Sequence, residues 1–122
     1  MLDFTAHIAG PYAAQILVEL GADVIKIERP PSGDDGRRLT PLVDGYSTSF
    51  EAINRGKRSL ALDMATDTGR AVALEMASKA DVIVENMRPG KMEALGLGFE
   101  AVSAVRSPCM RSLRLSLVSW GM

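Results

Sequence analysis

The sequence has one cysteine, Cys109, and one histidine, His7. A single thiol excludes an intramolecular disulfide and a thiolate-based structural zinc site, and a single imidazole excludes a multi-histidine metal site. Aromatic residues make up only 5% of the chain, so a core has to be built from aliphatic side chains, Ala and Met. No apolar run is long enough to span a bilayer. The most apolar stretch, Ala13 to Ile27, is interrupted by Gln15, Glu19, Asp23 and Lys26. The start, Met1-Leu2-Asp3, has no basic segment and reads as no signal peptide, so the expected location is cytoplasmic, with no membrane partner. A net charge of −1 offers no electrostatic reason to expect nucleic acid.

What is present is ordinary globular composition, 47% apolar and 24% charged over 122 residues, enough for one small domain. The charge is unevenly placed. All fifteen acids lie within the first hundred residues, whereas the end of the chain carries Arg106, Arg111 and Arg114 and no acid. The only Trp, Trp120, falls there too. This break near Pro108 divides the chain into residues 1–108 and an atypical tail, 109–122.

The first hundred residues alternate between strand and helix signals. Strands are expected near 2–5, 24–27, 59–62 and 82–84, and helices over 11–20 and 67–79. Ala9-Gly10-Pro11 opens the first helix, Ala13, Ile16, Leu17 and Leu20 recur at helical spacing, and Gly21 sits where a C-cap belongs. Val24-Ile25-Lys26-Ile27 reads as a buried strand. Thr66 suits the cap of the second long helix and Asp67 its first turn, with Ala71, Leu74 and Ala77 as its apolar face. Residues 28–45 read as loop and 46–53 as a short helix; further helical turns follow Pro89-Gly90 and Glu100. The pattern is that of βαβ units. The fold class is α/β, a Rossmann-like parallel sheet; that it is an incomplete, truncated large domain is implied only by the family resemblance given below.

In such sheets ligands bind beyond the carboxyl ends of the strands. Here those ends run into Ala9-Gly10-Pro11, Glu28-Arg29, Asp63 and Glu85-Asn86-Met87-Arg88, a set suited to a nucleotide-like ligand. Neither G-x-G-x-x-G nor a P-loop is present. Arg55, Lys57 and Arg58 form a basic turn, more commonly solvated than bound to phosphate. Asp34-Asp35 and Arg37-Arg38 read as a flexible, mutually paired loop. His7 has no partner histidine or cysteine and reads as a hydrogen-bonded structural residue; Cys109 has no oriented base and reads as inert.

The ordered set of motifs resembles the family III CoA-transferases, the group of formyl-CoA transferase, carnitine CoA-transferase and α-methylacyl-CoA racemase. The resemblance rests on Leu2-Asp3-Phe4-Thr5, Ala9-Gly10-Pro11-Tyr12-Ala13, Leu20-Gly21-Ala22-Asp23-Val24-Ile25-Lys26-Ile27-Glu28-Arg29-Pro30 and Gly33-Asp34-Asp35. It continues through Asn54-Arg55-Gly56-Lys57-Arg58-Ser59-Leu60-Ala61-Leu62-Asp63, Ala80-Asp81-Val82-Ile83-Val84-Glu85-Asn86, Arg88-Pro89-Gly90 and Leu95-Gly96-Leu97-Gly98.

The resemblance implies that CoA or an acyl-CoA is bound as substrate, with no resident cofactor and no metal. Carried over residue by residue, the CoA groove takes His7, Ile8, Arg29, Leu62, Asp63, Met64, Ala65, Asn86, Met87 and Arg88. Two positions depart from the family: Ala65, where members often carry Lys, and Ala94, where they often carry Arg. The family's catalytic Asp lies beyond residue 122, so no catalytic residue is assigned and the chain is expected to be a fragment, inactive alone. The resemblance also implies acyl-CoA and carboxylic acid substrates, and a homodimer for full-length relatives. A racemase or acyl-CoA isomerase of the same family, and a non-catalytic CoA- or nucleotide-binding module, stay open as alternatives. For the tail, a reading-frame shift followed by an early stop is the expectation: a shifted frame with permitted codons restores a Ser-Val-Thr-Gly-Phe motif of the family type.

Overall fold

The structure is a computed structural model that describes residues 1–105 and, for the main chain, 111–114. Five strands form one parallel sheet: β1 (Leu2–Asp3), β2 (Ile25–Glu28), β5 (Arg58–Ala61), β6 (Val82–Glu85) and β7 (Arg111–Arg114). Their spatial order is β5-β2-β1-β6-β7. Between β2 and β5 lie a short antiparallel hairpin, β3 (Leu42–Val43) and β4 (Tyr46–Ser47), and the helix α2 (Thr48–Asn54). The chain passes from β1 through α1 (Ala9–Glu19) to β2 and then outward to β5. It returns through α3 (Asp67–Lys79) to β6 on the other side of β1. The order reverses between β1 and β6, the switch point at which open α/β sheets leave a crevice. Two short helices, α4 (Lys91–Ala94) and α5 (Phe99–Ala104), follow β6.

The caps explain where the helices stop and start. Gly21 takes a left-handed φ of 95°, its N–H donates to Val18 O, and the Ala22 N–H donates to Leu17 O. This paired C-terminal closure needs a residue without a Cβ penalty. Thr66 Oγ1 accepts the Gly69 N–H at 3.0 Å and Asp67 stands in the first turn of α3, as the sequence indicates.

The in-register triplet Leu2, Ile25 and Ile83 shares one sheet face, which continues through Phe4 and Ile27. That face packs with Ala73 and Ala77 of α3 and with Met92, Leu97 and Val102 into one apolar core. On the opposite face stand Asp3, Thr5, Lys26 and Glu28, all buried. α1 and α2 cover this polar side. Lys57 binds the Pro11 carbonyl there, and Gly10 lies so close that a Cβ would come within 2.4 Å of Thr5 Cβ.

Two expected helix faces are corrected. α3 buries Gly69, Ala73 and Ala77, and Ala71 is exposed. A Cβ on Gly69 would fall 1.9 Å from the Asp63 carbonyl oxygen, so this approach sets the helix's rotation. α1 turns Gly10, Pro11, Ala14 and Gln15 inward, leaving Ile8, Tyr12, Ile16 and Leu20 exposed at i,i+4 spacing. The ionic layer beneath it accepts small and polar residues in place of branched ones. The loop read over 28–45 contains a 3-10 turn, Asp35–Arg38, and half of the hairpin. Cys109 and the tail's side chains lie outside the described residues.

Candidate functional site

A cleft of about 320 Å³ opens at the carboxyl ends of β1, β2, β5 and β6. Its apolar lining comes from Phe4, Ile27, Met64, Met87 and Leu95. Arg29 and Lys91 supply its basic groups; Glu28, Asp34, Asp35 and Asp63 supply its acidic ones. Among the described residues no group of three or more His, Cys, Asp or Glu is placed to hold a metal ion, and no helix is long and apolar enough to cross a membrane.

The loops that frame the cleft are held by a buried ionic network. Lys57 Nζ donates to Asp3 Oδ2, the Pro11 carbonyl and Asn54 Oδ1, each at 2.9 Å, so all three ammonium protons have acceptors. Burial pushes the Lys57 ammonium below its ordinary range, and the Asp3 carboxylate acts against that push. Lys26 Nζ reaches Asp34 Oδ2 at 2.8 Å and donates to the Thr5 carbonyl at 2.8 Å. Asp34 Oδ1 accepts the His7 and Gly36 N–H groups, tying the β1–α1 loop to the loop after β2. Glu28 accepts a two-pronged hydrogen bond from Arg37, both prongs at 2.7 Å, and the Arg37 guanidinium lies 4.1 Å over the Phe50 ring. Burial alone would raise the Glu28 carboxyl; Arg37, the Asp34 N–H and Ser59 outweigh it and hold it at about 2.

This corrects two expectations. The Asp34–Arg38 segment is a turn with a buried anchor, Asp34 being 5% exposed, and not a loose charged loop. The basic turn divides. Arg55 and Arg58 are exposed and paired with Glu19 and Asp23, whereas Lys57 is sealed inside. No signal in the isolated turn distinguishes Lys57; its partner Asp3 is 54 positions away.

Of the residues expected in a ligand groove, the cleft brings together Arg29, Asp63, Met64, Ala65 and Met87. Asp63 is exposed and its Oδ1 accepts the Ala65 N–H. Met87 is half-buried and donates its N–H to Glu85 Oε2. Leu62 is half-buried against the apolar core. His7, Ile8 and Arg88 are exposed and outside the cleft lining. His7 holds a φ of 67°, and its main chain, not its imidazole, makes the structural contact, through Asp34. Asn86 pairs both ends of its amide with the Ala6 main chain, at 2.9 and 3.0 Å, joining the loops on either side of the switch point. It keeps one N–H and one lone pair for a ligand. Sequence reasoning missed Lys91 altogether, since it stands on a four-residue helix that carries no recognisable motif.

The cations sort by position. Of fourteen Lys and Arg, Arg106, Arg111 and Arg114 have no described side chain. Of the other eleven, eight are in ion pairs. Arg29, Arg88 and Lys91 have no side-chain ion pair or hydrogen bond among the described residues. All three follow carboxyl ends of strands, β2 for the first and β6 for the others. Three of the cleft's four acids are ion-paired, Glu28 with Arg37, Asp34 with Lys26 and Asp35 with Arg38, whereas the exposed Asp63 accepts only a main-chain N–H and keeps its charge, one against three unpaired cations. The open charge at this edge is therefore positive, although the cleft lining contains more acids than bases.

Residues 1–108 match the sequence pattern of CoA-transferase family III. An acetyl-CoA:oxalate CoA-transferase of Acetobacter aceti is 44% identical over 105 residues, 86% of this chain and 27% of its own length. The succinyl-CoA:glutarate CoA-transferase of Homo sapiens is 43% identical over 106 residues, 86% of this chain and 24% of its own length. The crystal structure of Rv3272 from Mycobacterium tuberculosis superposes with a TM-score of 0.85 at 43% identity, covering 94% of this chain and 31% of that one. The chain thus spans about a quarter to a third of the length of these relatives.

Proposed function

This chain belongs to CoA-transferase family III, and on that premise we propose that its cleft receives the nucleotide end of CoA. The whole protein then transfers CoA from an acyl-CoA donor to a carboxylic acid acceptor. The observation that carries this is the distribution of open charge: the cations left without partners gather at the carboxyl edge of the sheet, beside an apolar cleft wide enough for a base. Arg29 binds a phosphate or lies over the adenine. Met64 and Met87 offer adaptable apolar walls, and Asn86, next to Met87 but outside the cleft lining, has an N–H left for a pantetheine carbonyl. Glu28, Asp34 and Asp35 are ion-paired and so are poor candidates for the acyl-carrying carboxylate, which on this reading comes from elsewhere in the whole protein.

Titration of CoA into the chain tests this. Binding near the millimolar range, about −4 kcal/mol, is expected. Arg29→Ala is expected to weaken it severalfold. Arg55→Ala, at an exposed arginine whose partner Glu19 does not line the cleft, leaves it nearly unchanged. Equal losses for the two variants overturn the placement of CoA in this cleft.

A further inference from the structure

We infer that Lys91 is a second phosphate anchor of the cleft, reaching CoA from α4 while Arg29 reaches it from the end of β2; this rests on the reading that the cleft takes CoA. Lys91 and Leu95 are four residues apart, share a face of their turn, and both line the cleft. Met92, the next residue along, points the other way and is 7% exposed in the apolar core. The turn is closed behind them by hydrogen bonds from Gly96 N–H to Glu93 O and from Leu97 N–H to Met92 O, each 2.9 Å. The main chain that carries Lys91 is therefore pinned to the core, and its ammonium is left without a partner among the described residues.

The surroundings favour an anion at this place. Lys91 is exposed at the rim, and Leu95, Met64 and Met87 line the same cleft. Glu28, Asp34 and Asp35 in the lining have their own cationic partners, and no ion pair joins Asp63 to the ammonium. Ala65, on another part of the wall, contributes no charge. A lysine on a flexible stem binds phosphate as a point charge and needs no planar geometry, which suits a rim position.

The test is titration of CoA into the full chain at several salt concentrations, with urea unfolding of each variant as the check on structure. Lys91→Ala is expected to weaken CoA about tenfold, the loss of a hydrogen bond to a charged group. Its salt dependence should be shallower, and its urea midpoint should equal that of the wild type. Lys91→Arg is expected to retain most of the affinity. Lys79→Ala, at an exposed lysine paired with Glu75, is expected to change nothing. CoA binding with equal affinity to wild type and Lys91→Ala overturns the assignment of Lys91 and leaves the cleft reading intact. A weakened affinity accompanied by a lowered urea midpoint also overturns it, because the role is then structural. Absence of saturable CoA binding by the wild type overturns both readings.

Discussion

On one face of the parallel sheet, Leu2, Phe4, Ile27 and Ile83 meet the alanines of α3. On the other, their chain neighbours Asp3, Thr5, Lys26 and Glu28 meet ammonium, carboxylate and amide groups. Both faces are closed to water: Ile83 is 4% exposed and Lys26 2%. Buried parallel strands usually read as continuous apolar runs, and strict alternation usually marks a wet face. Here the alternation marks two dry faces held by different forces. Apolar contact is non-directional and tolerates small shifts. An ionic layer does not, since each buried charge needs a partner in place. The ionic face therefore does what the apolar face does not. Through Asp34 it ties the β1–α1 loop to the loop after β2, and through Lys57 it fixes the start of α1.

The largest effect expected from breaking this arrangement is on Lys57. Lys57→Met leaves Asp3 charged and buried, and should lower stability by about 3–5 kcal/mol in urea unfolding. Adding Asp3→Asn, which keeps an acceptor for the Thr5 N–H, should restore most of that loss. If the double variant is no better than the single, the pair is not the source of the cost.

Next is the pH dependence of Glu28, held at about 2 against an ordinary value of 4.5. A carboxyl whose value falls on folding stabilises the fold above the unfolded value. Its contribution, about 3 kcal/mol at neutral pH, is lost as pH falls from about 4.5 through about 2. Glu28→Gln should flatten that part of an acid-unfolding curve and leave the neutral-to-alkaline part with its shape unchanged.

The apolar face should respond less to a single change. Ala73 is fully buried, and Ala73→Leu should cost about 1–3 kcal/mol by overpacking, measured by the same unfolding. The smallest effect belongs to the exposed pair Arg55–Glu19. Arg55→Ala should change stability by less than about 1 kcal/mol and become undetectable at high salt. An Arg55→Ala loss as large as that of Lys57→Met would erase the distinction between the sealed and the solvated halves of one basic turn.

Much of the fold was legible because its signals are local. The caps at Thr66 and Gly21 depend on neighbours a few residues away, and both stand where the sequence puts them. The strand positions follow from short apolar runs, β-branched at β2 and β6, shifted by about a residue at β2 and β5 and shortened at β1. The face of α1 was misread, and that of α3 in part, since Ala77 is buried and Leu74 packs on the core as expected while Ala71 is exposed; both have one reason. Hydrophobic spacing assumes an apolar neighbour, whereas Gly10 and Gly69 are turned inward by close approach to Thr5 and Asp63. The ligand groove was legible only in part. Arg29, Asp63, Met64, Ala65 and Met87 do line one cleft, whereas Lys91 lies on a short helix that carries no recognisable motif.

By itself the sequence determined the parallel α/β alternation, the helix ends and the family, because each is written in residues close together in the chain or in an ordered set of short motifs. Only the tertiary structure decided which charges are spent and which are open. Lys57 meets Asp3 across 54 positions, and Ser59 meets Glu28 across 31. Such pairs form only when the strands have stacked in register, and a charge shows no sign in its own surroundings of a partner that distant. Once those partners are taken, Arg29, Arg88 and Lys91 are the described lysines and arginines left without ion-pair partners, and they follow the carboxyl ends of β2 and β6.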